Sequence, residues 1–581
     1  MGLAASVKMG KLVVTVLGHG SRGNKVFRVG AVLRRCGRYG YHSIVKTKTL
    51  PDRASRSPSR PPRALLCGAI AAALFGAALP ALAQVKPDNT ALPILGDSAR
   101  GDLSPVMERK LGEEIMRDIR RDIDFLDDAP ILEYLNTFGS ALVASHPGAR
   151  GETNADYYFF AVRDGQLNAF ALPGGFIGVH SGLLLAAQTE SELASVLGHE
   201  VGHVAQRHIA RMIGQQKQDA LIPLAAMVLA ALAARGSGDA AMGVMAGGQG
   251  LAIQRQLNFT REAEREADRV GFQIMAQGGY DPSGMVAFFG RLQTASRAYT
   301  DLMPASLRSH PLTGERIADI QARIREMPYR QRVDNLEFQL IRARARVLQD
   351  ASTQGLAESS AAFEAQQKSQ TRQQQVGAQY GLAFLALKKG QLAQAQTMLD
   401  KARATLRRTQ GTFSTGQAAS DGAAVFAALA LDIKLAPGQP AAVKLEGLKE
   451  AEQAHRQFPL ARGLAAQYAE AMIVNGKSEE ATRFLREQAL QYREEAKLHE
   501  LLGKAYAAQG KQALQHIALA EHYALSGYKQ AALDQLAIAR KAGDASFYDM
   551  ALIDAREREL KTKRLEEIKE AKKAGRPEDE R

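Results

Sequence analysis

The chain has 581 residues, enough for two to four domains, and its 46% hydrophobic and 23% charged content is ordinary for a globular protein. Its formal charge is +14, but residues 1–83 hold 14 Lys/Arg against one acid, Asp52, while the rest holds 61 basic and 60 acidic residues. The basicity belongs to the leader, which removes the main support for a nucleic-acid partner, and both cysteines, Cys36 and Cys67, lie there too, which excludes a cysteine-based mechanism after its removal.

The leader ends in an Arg-rich segment closing at Arg63, an apolar run over residues 64–79, then Pro80 and Ala81-Leu82-Ala83. Small residues at 81 and 83 suit a signal peptidase, so cleavage is expected after Ala83. The apolar run is short of the roughly 20 residues that span a bilayer. A mature chain without thiols fits an oxidising compartment such as a bacterial periplasm.

Residues 84–104, rich in Pro, Gly and Asp, read as an extended lead-in, and residues 105–335 as one catalytic-type domain. Helical periodicity starts at Pro105, and a second helix is predicted over residues 130–146. From Asp156 to Val162 the pattern turns aromatic and β-branched, a strand. Residues 169–184 read as strand, Pro-Gly-Gly break and strand, and Pro173 with its glycines predicts an edge strand over 169–180. Such an edge, with Asn168, Ala169, Phe170, Pro173 and Gly174, could pair with an extended peptide, though a plain structural hairpin accounts for it equally.

The run from Leu193 to Gly214 carries apolar residues at helical spacing and contains His199-Glu200-Val201-Gly202-His203. Residues four apart stack on one helix face, so the two imidazoles can share one metal ion, with Glu200 placed to take a proton from water. An extended motif of the metzincin kind would need Gly at 206 and His at 209; Gln206 and Ile209 stand there, and His208 is one residue out of phase. The third ligand therefore comes from elsewhere. Residues 221–253 form an uncharged and then Gly/Met-rich insert, read as a packed hairpin, a flap over a cleft or a peripheral membrane contact.

The best source of the third ligand is the charged helix expected over 258–271, where Glu264 and Asp268 share one face. One carboxylate can bind the metal while the other orients a ligand imidazole, though a solvated charged helix has the same composition.

From residue 338 the chain is helical, with linker helices to 376, repeats over 377–560 and a charged tail over 561–581. Gly390, Ala395, Leu399 and Ala402 set a frame that recurs at Gly476, Ala481 and Leu485, and at Gly527, Ala532, Leu536 and Ala539. These resemble tetratricopeptide repeats, whose stacking forms a groove for a protein partner.

The segment Arg261-Glu262-Ala263-Glu264-Arg265-Glu266-Ala267-Asp268-Arg269-Val270-Gly271, following the HEVGH helix, resembles the RxxExEADxxG signature of the zinc peptidase family that includes the CAAX-processing endopeptidases and the HtpX heat-shock protease. Residues 168–175, Ser309-His310-Pro311 and Glu315-Arg316-Ile317 are similar to further motifs of that family. The resemblance implies a mainly α fold with a small β-sheet of the gluzincin type, followed by a helical solenoid. It implies one zinc ion held by His199, His203 and Glu264, with Glu200 as general base and Asp268 as proton donor or orienting partner. In the periplasmic, repeat-bearing branch the His of Ser-His-Pro fills the zinc's open position at rest, which points to His310 as an inhibitory fourth ligand. The expected function is a periplasmic endopeptidase acting on unfolded or misassembled outer-membrane proteins, with the repeats contacting the assembly machinery. The alternative is a chaperone or assembly factor that works mainly through its repeats, with the protease latched.

Overall fold

The computed structural model describes residues 5–9, 12–16, 103–151, 153–215, 261–298, 310–328, 332–368, 371–410 and 423–573. The apolar run 64–79, the cleavage site at Ala83, most of the lead-in 84–104, the insert 221–253 and the last eight residues of the tail lie outside them. The chain divides into two compact units, residues 1–91 and 92–581. In the first, β1 (Ala5–Met9) and β2 (Leu12–Val16) pair antiparallel.

The second unit is mainly helical with one small sheet, as the sequence predicts. Its first helix, α1 (Pro105–Ile119), begins where the Ser104 hydroxyl accepts the Met107 N–H at 3.3 Å and Pro105 takes the first helical position. Asp128 caps α2 (Ala129–Ser145) in the same way, accepting from Ile131 N–H at 3.2 Å. The sheet follows, with β3 (Tyr158–Val162), β4 (Ala169–Leu172) and β5 (Phe176–His180) in the order β3-β5-β4. β5 runs parallel to β3 and antiparallel to β4. Successive side chains alternate between two cores: Phe160, Val162, Leu172 and Phe176 pack on Ile115, Met116 and Ile119 of α1, while Phe159, Ala161, Ile177 and Val179 join the main core.

This corrects the expected edge element. Within 169–180 it is Ala169–Leu172 alone that forms an edge strand; Phe176–His180 is the middle strand, buried along its length because it pairs on both sides. Pro173–Gly175 is a tight turn with Gly174 and Gly175 at φ 77° and 90°, and Arg109 Nη1 donates to the Gly174 carbonyl at 2.9 Å. Residues 181–184, expected to continue the strand, open the short helix α3 (Ser181–Ala186).

The metal-motif helix is α4 (Glu190–Ala205), capped by the Thr189 hydroxyl, which accepts from Glu192 N–H at 3.2 Å. The single helix expected to Gly214 breaks after Ala205: Arg207 takes φ 51°, and α5 (His208–Gln215) starts in a new direction. A left-handed non-glycine residue costs about 1–2 kcal/mol. Buried Arg207 is held by ion pairing to Glu108 at 3.1 Å and by donating to the Leu103 carbonyl at 2.6 Å. Then come α6 (Arg261–Gln277), α7 (Ser283–Ala298) and α8 (Gly314–Arg325).

Beyond them, α9 (Leu336–Gln349), α10 (Thr353–Gln366), α11 (Arg372–Lys388) and α12 (Leu392–Gln410) are followed by α13 (Ala423–Leu435), α14 (Ala441–Gln457), α15 (Arg462–Val474) and α16 (Ser478–Gln491). The last helices are α17 (Ala496–Ala508), α18 (Gln512–Leu525), α19 (Lys529–Lys541) and α20 (Phe547–Lys573). Gly390, Gly476 and Gly527 sit at φ 71°, 77° and 86° between paired helices, and the Ala and Leu residues of the repeat frame are buried in the helix that follows each. Among the described residues no helix is long and apolar enough to cross a membrane.

The helices read as a linker are not a spacer. Phe338, Leu340, Ile341, Ala345 and Val347 of α9 and Phe363 of α10 belong to the same core as α2, α4 and α6. The polar composition of α9 conceals this because one of its arginines is itself buried: Arg344 donates to Asp128 Oδ2 at 2.7 Å and to Tyr380 Oη of α11 at 2.8 Å. Arg344→Ala strands the Asp128 charge and is expected to cost about 3 kcal/mol, measured as a lowered urea midpoint.

Candidate metal centre

The site is built by two helices crossing at glycines. A Cβ on Gly202 would lie 2.8 Å from the Ala267 carbonyl oxygen, and one on Gly271 would lie 2.8 Å from the His199 nitrogen. Only residues without side chains let α4 and α6 approach so closely. The approach brings Glu264 and Asp268 of α6 against His199 and His203 of α4, all four side chains buried.

The imidazole Nε2 atoms of His199 and His203 are 3.0 Å apart. Glu264 Oε2 lies 3.5 Å from His199 Nε2, and its Oε1 lies 3.5 Å from His203 Nε2. His310, just before α8, reaches the same point: its Nδ1 is 2.8 Å from Glu264 Oε1 and 3.5 Å from His199 Nε2. One ligand atom from each of these four residues falls within a 4.8 Å cluster. Two facing ring nitrogens need either a proton or a shared cation between them. Nitrogen and carboxylate donors at this number suit zinc.

The electrostatics agree. Burial works against charge on His199, yet hydrogen bonds to Asp268 and Glu264 overcome it and lift its pKa to about 10. Burial drives His203 well below the ordinary imidazole value, which keeps a lone pair available. Burial also opposes ionisation of Glu264, but His310 and hydrogen bonds from His199 and His203 hold it well below the usual carboxylate range.

Around this group, Asp268 Oδ1 is 2.9 Å from His199 Nδ1, the position that orients a ligand imidazole. Glu200 points to the other side, with Oε1 3.7 Å from His310 Nε2 and Oε2 buried without a hydrogen-bond partner. Burial raises its pKa, and the Ala171 N–H of β4 bonds to it. The structure therefore brings together His199, Glu200, His203, Glu264, Asp268 and His310, all six named from the sequence.

The peptide-edge residues divide. His180 N–H donates to the Asn168 carbonyl at 3.0 Å, and Phe170 pairs with Gly178, so alternation leaves Ala169 and Ala171 with outward backbone groups. Pro173 and Gly174 are taken up by the turn against α1. Ala169 and Ala171 are themselves only 2% and 6% exposed, so this edge is covered here. The cavity beside Glu264, lined by Arg261, Arg265, Pro311, Thr313 and Arg316, is about 10 Å³, room for one water.

Two participants were given no role from sequence. Arg316 donates to Asp268 at 2.6 and 2.8 Å and lies 2.8 Å from Glu264 Oε2, so one guanidinium fixes both carboxylates of α6. Its place six residues after His310, in a stretch otherwise matching the family, was the available signal. His208 lies 2.8 Å from His203, Nδ1 to Nδ1, and nothing in the sequence announces the chain break that puts it there.

The profile of peptidase family M48 matches residues 134–324. The putative β-barrel assembly-enhancing protease of Vibrio cholerae is 38% identical over 347 residues, covering 58% of this chain and 67% of that protein. The β-barrel assembly-enhancing protease of Escherichia coli is 30% identical over 492 residues, 85% of this chain and 95% of that protein. The mitochondrial metalloendopeptidase OMA1 of Schizosaccharomyces pombe is 26% identical over 232 residues, 40% of this chain and 65% of that protein. With buried His199, His203 and Glu264 and half-buried His310 grouped inside the matched segment, and relatives of this identity along most of its length, the chain belongs to peptidase family M48 and is a zinc metalloendopeptidase.

Proposed function

We propose that the mature chain works in the periplasm as an endopeptidase that degrades misassembled outer-membrane proteins, and that its helical repeats recruit substrate or dock on the assembly machinery. The names of the Vibrio and Escherichia relatives support the setting, and the expected signal peptide supports the compartment. His199, His203 and Glu264 are the zinc ligands in this reading. The observation that carries it is their convergence, with Glu200 beside them, at the crossing of α4 and α6.

Bound zinc would supply Lewis-acid polarisation of the scissile carbonyl and of the attacking water. Glu200, with a buried unpaired oxygen and a raised pKa, accepts the proton of that water and hands it to the leaving amine. Asp268, clamped by Arg316, keeps the proton of His199 on Nδ1 and its lone pair on Nε2. The outward groups of Ala169 and the Ala171 carbonyl hold an extended substrate once the edge is uncovered.

His310 would be the fourth ligand at rest, and in this arrangement the Ala169 and Ala171 positions of the β4 edge are buried. The same closed arrangement favours a second reading, an assembly factor that acts through its repeats while the protease is latched. His310→Ala separates the states. Cleavage of an unfolded β-barrel protein by the purified mature chain is expected to rise about tenfold or more, because a latch holding even nine molecules in ten closed limits activity by that factor. The rise should vanish on chelation, and unchanged or lower activity would refute the latch. Failure of both proteins to cleave any unfolded substrate with zinc bound would refute the degradative reading.

A further inference from the structure

The two ligand histidines are held from behind by different devices. His199 has a carboxylate, Asp268, at its Nδ1. His203 has a third imidazole: His208 Nδ1 stands 2.8 Å from His203 Nδ1, with the rings at 73° and their centroids 4.8 Å apart. Behind His208, its Nε2 lies 2.9 Å from Glu266 Oε2, and Arg211 Nη2 donates to that same oxygen at 2.6 Å. His208 is 3% exposed, so its polar atoms meet protein rather than solvent.

Helix geometry alone would not place it there. In an unbroken helix, position 208 lies about 140° round the axis from position 203, off the ligand face. The left-handed turn at Arg207 returns the chain so that the first residue of α5 faces back onto α4. A strained non-glycine residue survives where its surroundings force it, and the buried Glu108 pair and Leu103 carbonyl do that.

Two Nδ1 atoms at hydrogen-bond distance need one proton and one lone pair. If His203 offers the Nε2 lone pair to the metal, its proton sits on Nδ1 and donates to His208 Nδ1. The proton of His208 then sits on Nε2 and donates to Glu266. One tautomer of each ring satisfies the chain, and the Arg211 guanidinium keeps Glu266 an acceptor. We propose that His208 and Glu266 are positioning residues that lock His203 in its metal-binding tautomer, an imidazole–carboxylate relay doing for His203 what Asp268 does for His199. This rests on His203 being a zinc ligand, the reading given above.

The test is a Co²⁺ titration of the mature full-length chain against a competing chelator, with the visible d–d absorption of the bound ion recorded. Loss of such an orienting partner typically weakens metal binding about 10- to 100-fold. His208→Phe keeps the ring volume and removes the acceptor; it is expected to weaken Co²⁺ by that factor and change the absorption band. His208→Asn places Oδ1 near the lost Nδ1 and should recover affinity to within about threefold, which a purely space-filling role for His208 does not predict. Wild-type affinity and band in His208→Phe would overturn the relay, as would equal weakening in the Phe and Asn variants. If His208→Phe fails to fold, Glu266→Leu, which removes the acceptor for His208 Nε2–H, decides: weaker Co²⁺ supports the relay and unchanged affinity overturns it. His203→Ala is the separate control, because undiminished Co²⁺ binding there would refute the ligand assignment itself.

Discussion

Glu200→Gln is expected to lower kcat for peptide cleavage by about a thousandfold while leaving zinc stoichiometry at the wild-type value. General acid–base catalysis is worth roughly 10²–10⁴ in rate, and the expected loss stands at the middle of that range. Glutamine keeps the length and the hydrogen bond from Ala171 N–H but cannot take a proton from water. Its carboxylate is not among the four groups that converge on the metal point, so zinc measured by elemental analysis should not change. A drop in zinc content would move Glu200 from base to ligand; a drop below tenfold in kcat would remove it from the proton path. The same variant separates the two readings of the protein. If assembly of outer-membrane proteins survives in cells carrying Glu200→Gln, binding through the repeats contributes independently of cleavage; if it fails together with cleavage, the assembly-factor reading falls.

The parts of this protein legible in its sequence are those fixed by local periodicity. HEVGH needed only the four-residue stacking of an α-helix; the same rule puts Glu264 and Asp268 on one face of a second helix, but it was the resemblance to the family signature that singled them out, and His310 with them. The repeat frame was visible because a left-handed glycine turn and buried Ala and Leu positions recur together. What stayed hidden depends on long-range contacts. Gln206-Arg207 contains neither Gly nor Pro, so nothing local predicts the end of α4; the break is enforced by Glu108, 99 residues earlier. His208 stands one residue short of the metzincin position, so motif spacing gives it no role, and its contact with His203 depends on the break after Ala205. The linker reading rests on the polar run 351–376, and that α9 belongs to the core is recognisable only once Asp128 and Tyr380 stand beside its buried Arg344. Pro173 pointed to an edge, but the middle strand β5 on its far side could not be told from β4 until the parallel pairing with β3 was seen.

Gly271→Val should remove zinc and stability together, because at this position the packing of two helices and the geometry of the ligand set are the same thing. The added Cβ would meet the His199 nitrogen at 2.8 Å, the Gly198 carbonyl carbon at 3.0 Å and the His199 Cα at 3.1 Å. All three are backbone atoms of α4, so no side chain can turn aside and the helices must part. Overpacking of this kind costs about 1–3 kcal/mol by itself. Parting them also draws Glu264, two turns along α6, away from His199 and His203, whose nitrogens lie 3.5 Å from its oxygens. In the wild type at a free zinc concentration near a thousand times Kd, the metal contributes about 4 kcal/mol to folding. The variant is expected to forgo most of that, so its Tm should be low and insensitive to chelator, whereas the wild-type Tm should fall on chelation towards the variant's. Gly271→Ala, with one methyl, should give an intermediate Tm and a weakened but measurable zinc affinity. Stoichiometric zinc and a chelator-sensitive Tm in Gly271→Val would show that α4 and α6 can separate without disturbing the ligands. The glycine crossing would then be a packing feature beside the metal centre, and the fixed geometry of the site would have to come from Arg316, which clamps Glu264 and Asp268 from α8.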